Sequence, residues 1–516
     1  MATKTRSKRR RSGTRSVYKP RGVLHPRVQE VGPHRFGIVS FDVGKGKSKW
    51  MLCNFYGEEL VEVQEVFHTR CGFDLAIALI RDALQKHDIR DQVIAIERTG
   101  DYHLPVKRAF AKTDFEARIV HPFATKQFRQ ADDPNAKTDP NDLKAIFRAA
   151  VNGFGLLEPE PEPVYQRLRL LVRHRRDLVE KRSSVCCQIR EHLDAVLPGY
   201  AAIFDNVWES RIALPLARGY PSPELIREAN VEGLAKYLRK AGIRVHRGVL
   251  QRIVTWAANA ASPAENADIH QQIWTALDDD RAAKTREIQA LEGQAVSLLV
   301  KTPYVLLLSH PGIHVVTASE LAGEMGPISH YAGPKAITGR SGLFPGRYQS
   351  VDVDHNRGPI LRCANRRLRA ILMLIANNLI RCNHHFRALN VIWQSQGKDP
   401  RWTRVKVVSR FSRVCYQMVA GGKVFHHPGQ RGRDYILDKL LAFHGEHQTA
   451  PDKTLGDLRM AIQQIPKAEL DNEAAPLRKR IEGRRGPQPI RDIVLAVLAE
   501  AGVGTVELTD EVRDAS

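Results

Sequence analysis

Three strand-like runs follow one another early in the chain, with no room for a helix between them: Phe36–Val43, residues 49–55 and residues 59–67. Gly57 marks the turn between the second and third, and neighbours so closely spaced fold as a meander. Then the pattern changes. A helix is expected at about 73–87, a strand at 93–97, a helix at 104–112, a strand at 117–121 and a helix from about Pro140 to Val151. Alternation of helix with strand, after a meander, predicts one mixed sheet covered by helices over residues 35–155.

Acidic side chains stand where those strands end. Asp42 follows Phe36-Gly-Ile-Val-Ser-Phe, and Glu97 closes Val93-Ile-Ala-Ile. Asp139 and Asp142 lie in Lys137-Thr-Asp139-Pro-Asn-Asp142, at the mouth of a helix. Acids at the tips of adjacent strands and on a facing helix can converge, and a cluster of oxygen donors suits a hard divalent ion such as Mg²⁺. Two such ions roughly 3.5–4 Å apart hold both the attacking and the leaving oxygen of a phosphodiester.

Each acid also has a plainer reading. Asp42 precedes Gly44-Lys-Gly46-Lys47-Ser48, but Phe41 stands where a Walker A loop needs its first glycine, so that motif is excluded. An actin-like phosphate loop, or a plain surface aspartate, stays open for Asp42. Glu97 abuts a buried strand and needs either a metal or an arginine. Asp139 reads as an N-cap, with Pro140 as the first helical residue and Asp142 at the third position. Either carboxylate would favour the positive end of the helix dipole.

Lys and Arg number 79 against 57 Asp and Glu, a formal charge of +22. That excess fits a polyanionic partner bound in a salt-dependent way. An anionic membrane surface fits the charge too, but no apolar run approaches the roughly 20 residues that span a bilayer. Residues 1–34 are basic, polar and interrupted by proline, without the apolar segment of a secretory signal. They read as a disordered arm that contacts phosphates, or as a solvated tail. Seven cysteines without a Cys-x-x-Cys pair fit a reduced, cytoplasmic compartment. Cys382-Asn-His384-His385 lacks a second pair at ligand spacing, so zinc is not expected there.

Pro159, Pro161 and Pro163 close the first domain. Residues 164–197 and 267–300 read as long amphipathic helices within a helical middle region, 156–300, able to pair with each other or with a second subunit. Residues 301–425 form a further, mostly helical unit. There, Pro311-Gly312-Ile313 leads toward Thr317-Ala318, the pattern of a helix-hairpin-helix whose turn aims backbone N–H groups at phosphate oxygens. An ordinary helical hairpin is the alternative. Ser350 follows Arg347-Tyr348-Gln349 and could be a nucleophile if a base or metal manages its proton. Arg366, Arg367 and Arg369 head an apolar helix and, with Lys137 and Arg347, are candidate phosphate contacts. Residues 426–516 carry one credible helix, 489–501, and no assignable role.

The ordered set of Asp42, Glu97-x-Thr-Gly, Lys-Thr-Asp139-x-x-Asp142, Pro-Gly-Ile, Gly-Leu-x-Pro with Tyr-x-Ser350, and Asn-Arg-Arg-Leu-Arg resembles one family. It is similar to the DEDD-type transposases of insertion sequence family 110, the bridge-RNA-guided recombinases, over about 36–155 and 301–390. The resemblance implies an α/β RNase H-like (RuvC-type) N-terminal domain whose Asp42, Glu97, Asp139 and Asp142 hold Mg²⁺. It implies a long helical, coiled-coil middle and a mostly α C-terminal transposase domain with a nucleophilic serine, matched by Ser350. It further implies donor and target double-stranded DNA, a structured noncoding guide RNA, and a homo-oligomer in a prokaryotic cytoplasm. Val351 stands where the family usually has glycine after the serine. The expected activity is Mg²⁺-dependent cutting and rejoining of DNA. A hydrolytic nuclease on the same fold would need the acids without Ser350. A non-enzymatic nucleic-acid binder would use the acids as caps and ion-pair partners.

Overall fold

The apolar runs pair into a six-stranded sheet, in a computed structural model that describes residues 23–132, 138–158, 162–346, 348–350, 353–355, 358, 360–361, 364–425 and 433–466. The central strand, β1 (Phe36–Val43), carries β2 (Lys47–Asn54) and then β3 (Glu59–Phe67) antiparallel on one side. On the other side lie β4 (Asp91–Glu97), β5 (Ala117–Val120) and the short β6 (Gly155–Leu156), in the order β3-β2-β1-β4-β5-β6. β1, β4 and β5 are parallel, and β6 returns antiparallel.

Side chains alternate across a strand, and here both faces of the central strands are dry. Val39, Phe41, Val43, Ile94 and Ile96 share a core with Ala76 and Ile80 of α2 (Arg70–Lys86) and with Val106 and Phe110 of α3 (His103–Phe110). Phe36, Ile38, Val93 and Ala95 share the other core with Ala124 of α4 (Pro122–Asp132) and with Leu143, Ile146 and Ala150 of α5 (Asp139–Val151). Burial on both faces is why these strands read as continuous apolar runs. α4 has no counterpart in the sequence reading, because Ala124 and Phe128 are too few apolar anchors to set a helical period.

The expected disordered arm, residues 1–34, is corrected at its C-terminal end. α1 (His25–Val31) is helical, and Leu24 and Val28 are buried in the second core. Arg27 ties it down, donating to Asp91 at 2.8 Å and to Glu116 at 2.9 Å. Residues 1–22 lie outside the described residues.

The chain divides into two units, residues 1–160 and 161–516. The second is built on α6 (Pro163–Val196) and α10 (Ala267–Leu299). These helices run antiparallel, with Arg175 reaching Glu292, Arg182 reaching Thr285 and His192 meeting His270. α7 (Ala213–Gly219), α8 (Pro223–Lys240) and α9 (Arg247–Asn259) fold onto one end of the pair. Ile189, Leu193, Leu216, Leu234, Ile253 and Trp274 make the core there. At the other end the pair meets α11 (Val315–Met325), α12 (Pro334–Ser341), α13 (Arg366–Cys382), α14 (His384–Ser395), α15 (Pro400–Gly421), α16 (Arg433–Glu446) and α17 (Pro451–Gln464). Between α12 and α13 lies a small antiparallel pair, β7 (Tyr348–Ser350) and β8 (Val353–His355).

Packing crosses the expected boundaries at 300 and 425. A single core takes Leu168 and Val172 from α6, Val296 and Leu299 from α10, Phe411 from α15, Leu440 from α16 and Leu458 from α17. The sequence motifs stop where the recognisable patterns stop, whereas the core takes apolar side chains from helices on both sides of those limits. The expected helix at 489–501 lies outside the described residues.

A polar seam also joins these helices. Arg173 forks onto Glu324 at 2.7 and 2.9 Å, and Asn365 adds a hydrogen bond at 3.1 Å. Burial alone would raise the Glu324 carboxyl, but the Arg173 fork outweighs it and holds the group below its usual range. The core formed with α7, α8 and α9 contains Trp274, which is fully buried, donates its indole N–H to Gln271 at 2.6 Å and lies under the Arg218 guanidinium. Trp274→Ala is expected to cost about 3–5 kcal/mol, read as a lower denaturant midpoint.

Candidate active site

β1 and β4 finish together, with Phe41 level with Ile96. The next residues are Asp42 and Glu97. Pleating puts Asp42 on the side of Ile38 and Glu97 on the side of Val93 and Ala95, which is the face covered by α5. Both acids are half-buried. Across the antiparallel pair, Lys49 is the register partner of Asp42.

α5 starts on this same face. Asp139 was expected to cap it, but the cap is Thr138, whose Oγ1 accepts from the Asn141 N–H at 3.4 Å. Asp139 and Asp142 sit in the first turn, where the helix dipole favours negative charge without using either as the cap. Asp139 is exposed and Asp142 is buried.

Two cations answer these acids. Lys49 Nζ donates to the Asp139 carboxylate. That hydrogen bond raises the lysine pKa above its usual value, and the charges of Asp139, Glu65 and Asp42 add to the effect. Arg129, from α4, donates to Asp142 at 2.5 Å. Glu97 accepts from the Thr99 hydroxyl at 3.4 Å. Neither Lys49 nor Arg129 was singled out from the sequence. Lys49 becomes visible once the β1–β2 register is known, whereas nothing local marks Arg129.

All four acids therefore lie on one face of the sheet, at or beside the ends of β1 and β4. Their chemistry fits a divalent ion, since every donor is a carboxylate oxygen. Among the described residues, however, no three His, Cys, Asp or Glu side chains are grouped closely enough to hold an ion. Lys49 and Arg129 occupy two of the carboxylates, so an ion at those oxygens would replace them as the counter-charge.

In the second unit, Ser350 ends β7, in register with Val353 of β8. Arg366 and Arg367 open α13, behind the Asn365 cap, whose Oδ1 accepts from the Leu368 N–H at 3.0 Å. Arg366 is exposed, and Arg367 pairs with Asp177 at 3.0 Å. Arg369 donates to the Ser341 carbonyl at 2.9 Å and also to the Leu361 carbonyl, so it braces the chain between α12 and α13. Lys137 and Arg347 lie outside the described residues. The Pro311-Gly312-Ile313 turn joins a 3₁₀ stretch, Pro303–Ser309, to α11, so its first arm is not the α-helix that a helix-hairpin-helix would supply.

Two family models match the chain. A DEDD-type IS110 model, described as transposase, covers residues 39–198 and includes all four acids. A second, described as transposase IS116/IS110/IS902 family, covers residues 304–390 and includes Ser350. The chain belongs to the IS110 family of transposases. This transposase is similar to the insertion element IS116 uncharacterized 44.8 kDa protein of Streptomyces clavuligerus, 24% identical over 319 residues, which are 60% of this chain and 75% of that protein. It is also similar to the insertion element IS900 uncharacterized 42 kDa protein of Mycobacterium paratuberculosis, 27% identical over 270 residues, 50% of this chain and 65% of the relative. Among the described residues, no helix of the transposase is long and apolar enough to cross a membrane.

Arg129→Met would leave Asp142 buried without its counter-ion. A loss of about 2–4 kcal/mol is expected, with much of it recovered in the Arg129→Met/Asp142→Asn double variant, as a double-mutant cycle by chemical denaturation would show.

Proposed function

We propose that this transposase cuts and rejoins the double-stranded DNA of an insertion sequence, with Asp42, Glu97, Asp139 and Asp142 as Mg²⁺ ligands and Ser350 as the nucleophile. The supporting observation is that the four acids share one face and one end of a sheet, inside the stretch that the DEDD-type model matches. When bound, the metal would stabilise charge developing on the phosphodiester oxygens.

The chain's own residues have separate tasks. Lys49 and Arg129 hold Asp139 and Asp142 in place while their carboxylates carry no other cation. The half-buried Asp42 and Glu97, on the ends of two paired strands, are positioned by the core rather than by flexible loops. The Ser350 oxygen would form a bond to phosphorus while the bond to the DNA 3′-oxygen breaks, the hydroxyl proton passing to the leaving oxygen or to solvent. The resulting serine phosphodiester keeps the bond energy of the cut strand, so rejoining needs no nucleotide triphosphate.

The charge of +22 supports contact with the backbones of DNA and of a structured noncoding guide RNA. Base pairing by that RNA would then choose the sequence, with protein contacts falling mainly on phosphates and sugars. The reading includes a homo-oligomer working in the cytoplasm, beside the nucleoid.

The test combines element-end DNA, Mg²⁺ and denaturing gels that resolve covalent protein–DNA adducts. Ser350→Ala is expected to abolish the adduct, and Asp42→Asn or Glu97→Gln to lower strand cutting by about 10²–10³-fold. Cutting that continues without an adduct in Ser350→Ala would mark a hydrolytic nuclease. Unchanged cutting in the acid variants would remove the acids from the catalysis, and binding without any cutting by the natural chain would leave only a binding protein.

A further inference from the structure

The turn before α11 has a shape that only certain residues allow. Its sequence is Leu308-Ser-His310-Pro311-Gly312-Ile313. Pro311 restricts the backbone. Gly312 has φ +88°, and a Cβ there would lie 2.8 Å from the Asn378 carbonyl oxygen, so only glycine fits. The chain reverses so tightly that three carbonyls, those of Leu308, His310 and Ile313, converge on one point.

Lys439 of α16 fills that point. Its Nζ donates to the Leu308 carbonyl at 2.7 Å, to His310 at 2.5 Å and to Ile313 at 2.7 Å. An ammonium has three N–H groups, and all three are used. Every one of these acceptors is neutral. The Tyr435 ring lies 4.1 Å from the same nitrogen and adds a cation–π contact. Burial pushes the Lys439 pKa down to about 7, so the charged form that fills the cage is the one held below that pH.

Neutral carbonyls that replace a hydration shell are the surroundings of a monovalent cation such as K⁺. A divalent ion in the same place would call for carboxylates. A tethered ammonium carries the same single charge as K⁺ and need not be captured from solution. We infer that the 308–313 turn is a monovalent-cation site that the protein fills with its own Lys439, and that removing the ammonium opens the site to K⁺. The cage does not depend on what the acids of the first unit do.

Thermal unfolding of the full chain at pH 6, where Lys439 is an ammonium, in potassium chloride and in tetramethylammonium chloride at equal concentration, tests this. A ligand that binds only the folded state raises the midpoint. Lys439→Ala should melt several degrees higher in potassium, while the natural chain should melt alike in both salts. Lys439→Met, whose stem still fills the path to the cage, should show no preference for potassium. Lys453→Ala is the control, since it loses a single bond to the Gly293 carbonyl at 2.8 Å and should also show no preference. The assignment is overturned if Lys439→Ala melts alike in both salts or stays unfolded in both. It is also overturned if the natural chain gains stability specifically from potassium.

Discussion

The acidic end of the sheet depends on the parallel pairing of β1 with β4. That register sets Phe41 level with Ile96, and so brings Asp42 beside Glu97. A slip of one residue would turn Asp42 into the apolar core against α2 and α3 and Phe41 into the opposite core against α4 and α5. Phe41, Ile94 and Ile96 are fully buried on one face, and Ile38, Val93 and Ala95 on the other. With both faces closely packed, a neighbouring register would mismatch side-chain volumes on each and bury the Asp42 carboxylate among apolar groups. The positions of two polar groups are thus enforced by the packing of their apolar neighbours.

Charge balance around those acids comes from elsewhere in the chain. Lys49 arrives from β2 and Arg129 from α4, while Thr138 caps α5 and leaves its two aspartates without a capping role. Carboxylates in the first turn of a helix and near a sheet end would repel one another without such cations. The same economy recurs in the second unit, where Arg173 answers the buried Glu324 and Arg175 answers Glu292 and Glu320. Both units place carboxylates at the edges of apolar cores and match them with lysine or arginine, and the Arg173 pair with Glu324 is a fork that suits a carboxylate geometrically.

Much of the fold was legible because its elements are long and uninterrupted. The strand expected at 49–55 runs Lys47–Asn54, and the helix expected at 164–197 runs Pro163–Val196. The elements that escaped notice have weaker patterns. α1 sets Leu24 and Val28 on the core, and α4 sets Ala124 and Phe128, which is too little to establish a period. α16 and α17 were hidden for another reason. Their apolar residues, among them Leu440 and Leu458, complete a core founded more than a hundred residues earlier, and no local pattern announces that destination.

The sequence by itself determined the kinds of elements, the identity of the acids and their places at the ends of apolar runs. Those features follow from local periodicity, which each segment carries within itself. Only the tertiary structure decided that Lys49 and Arg129 neutralise Asp139 and Asp142, and that Lys439, 126 residues beyond Ile313, closes a carbonyl cage. Such partners meet because apolar cores bring distant segments together, and a side chain's charge does not specify which distant group it will face.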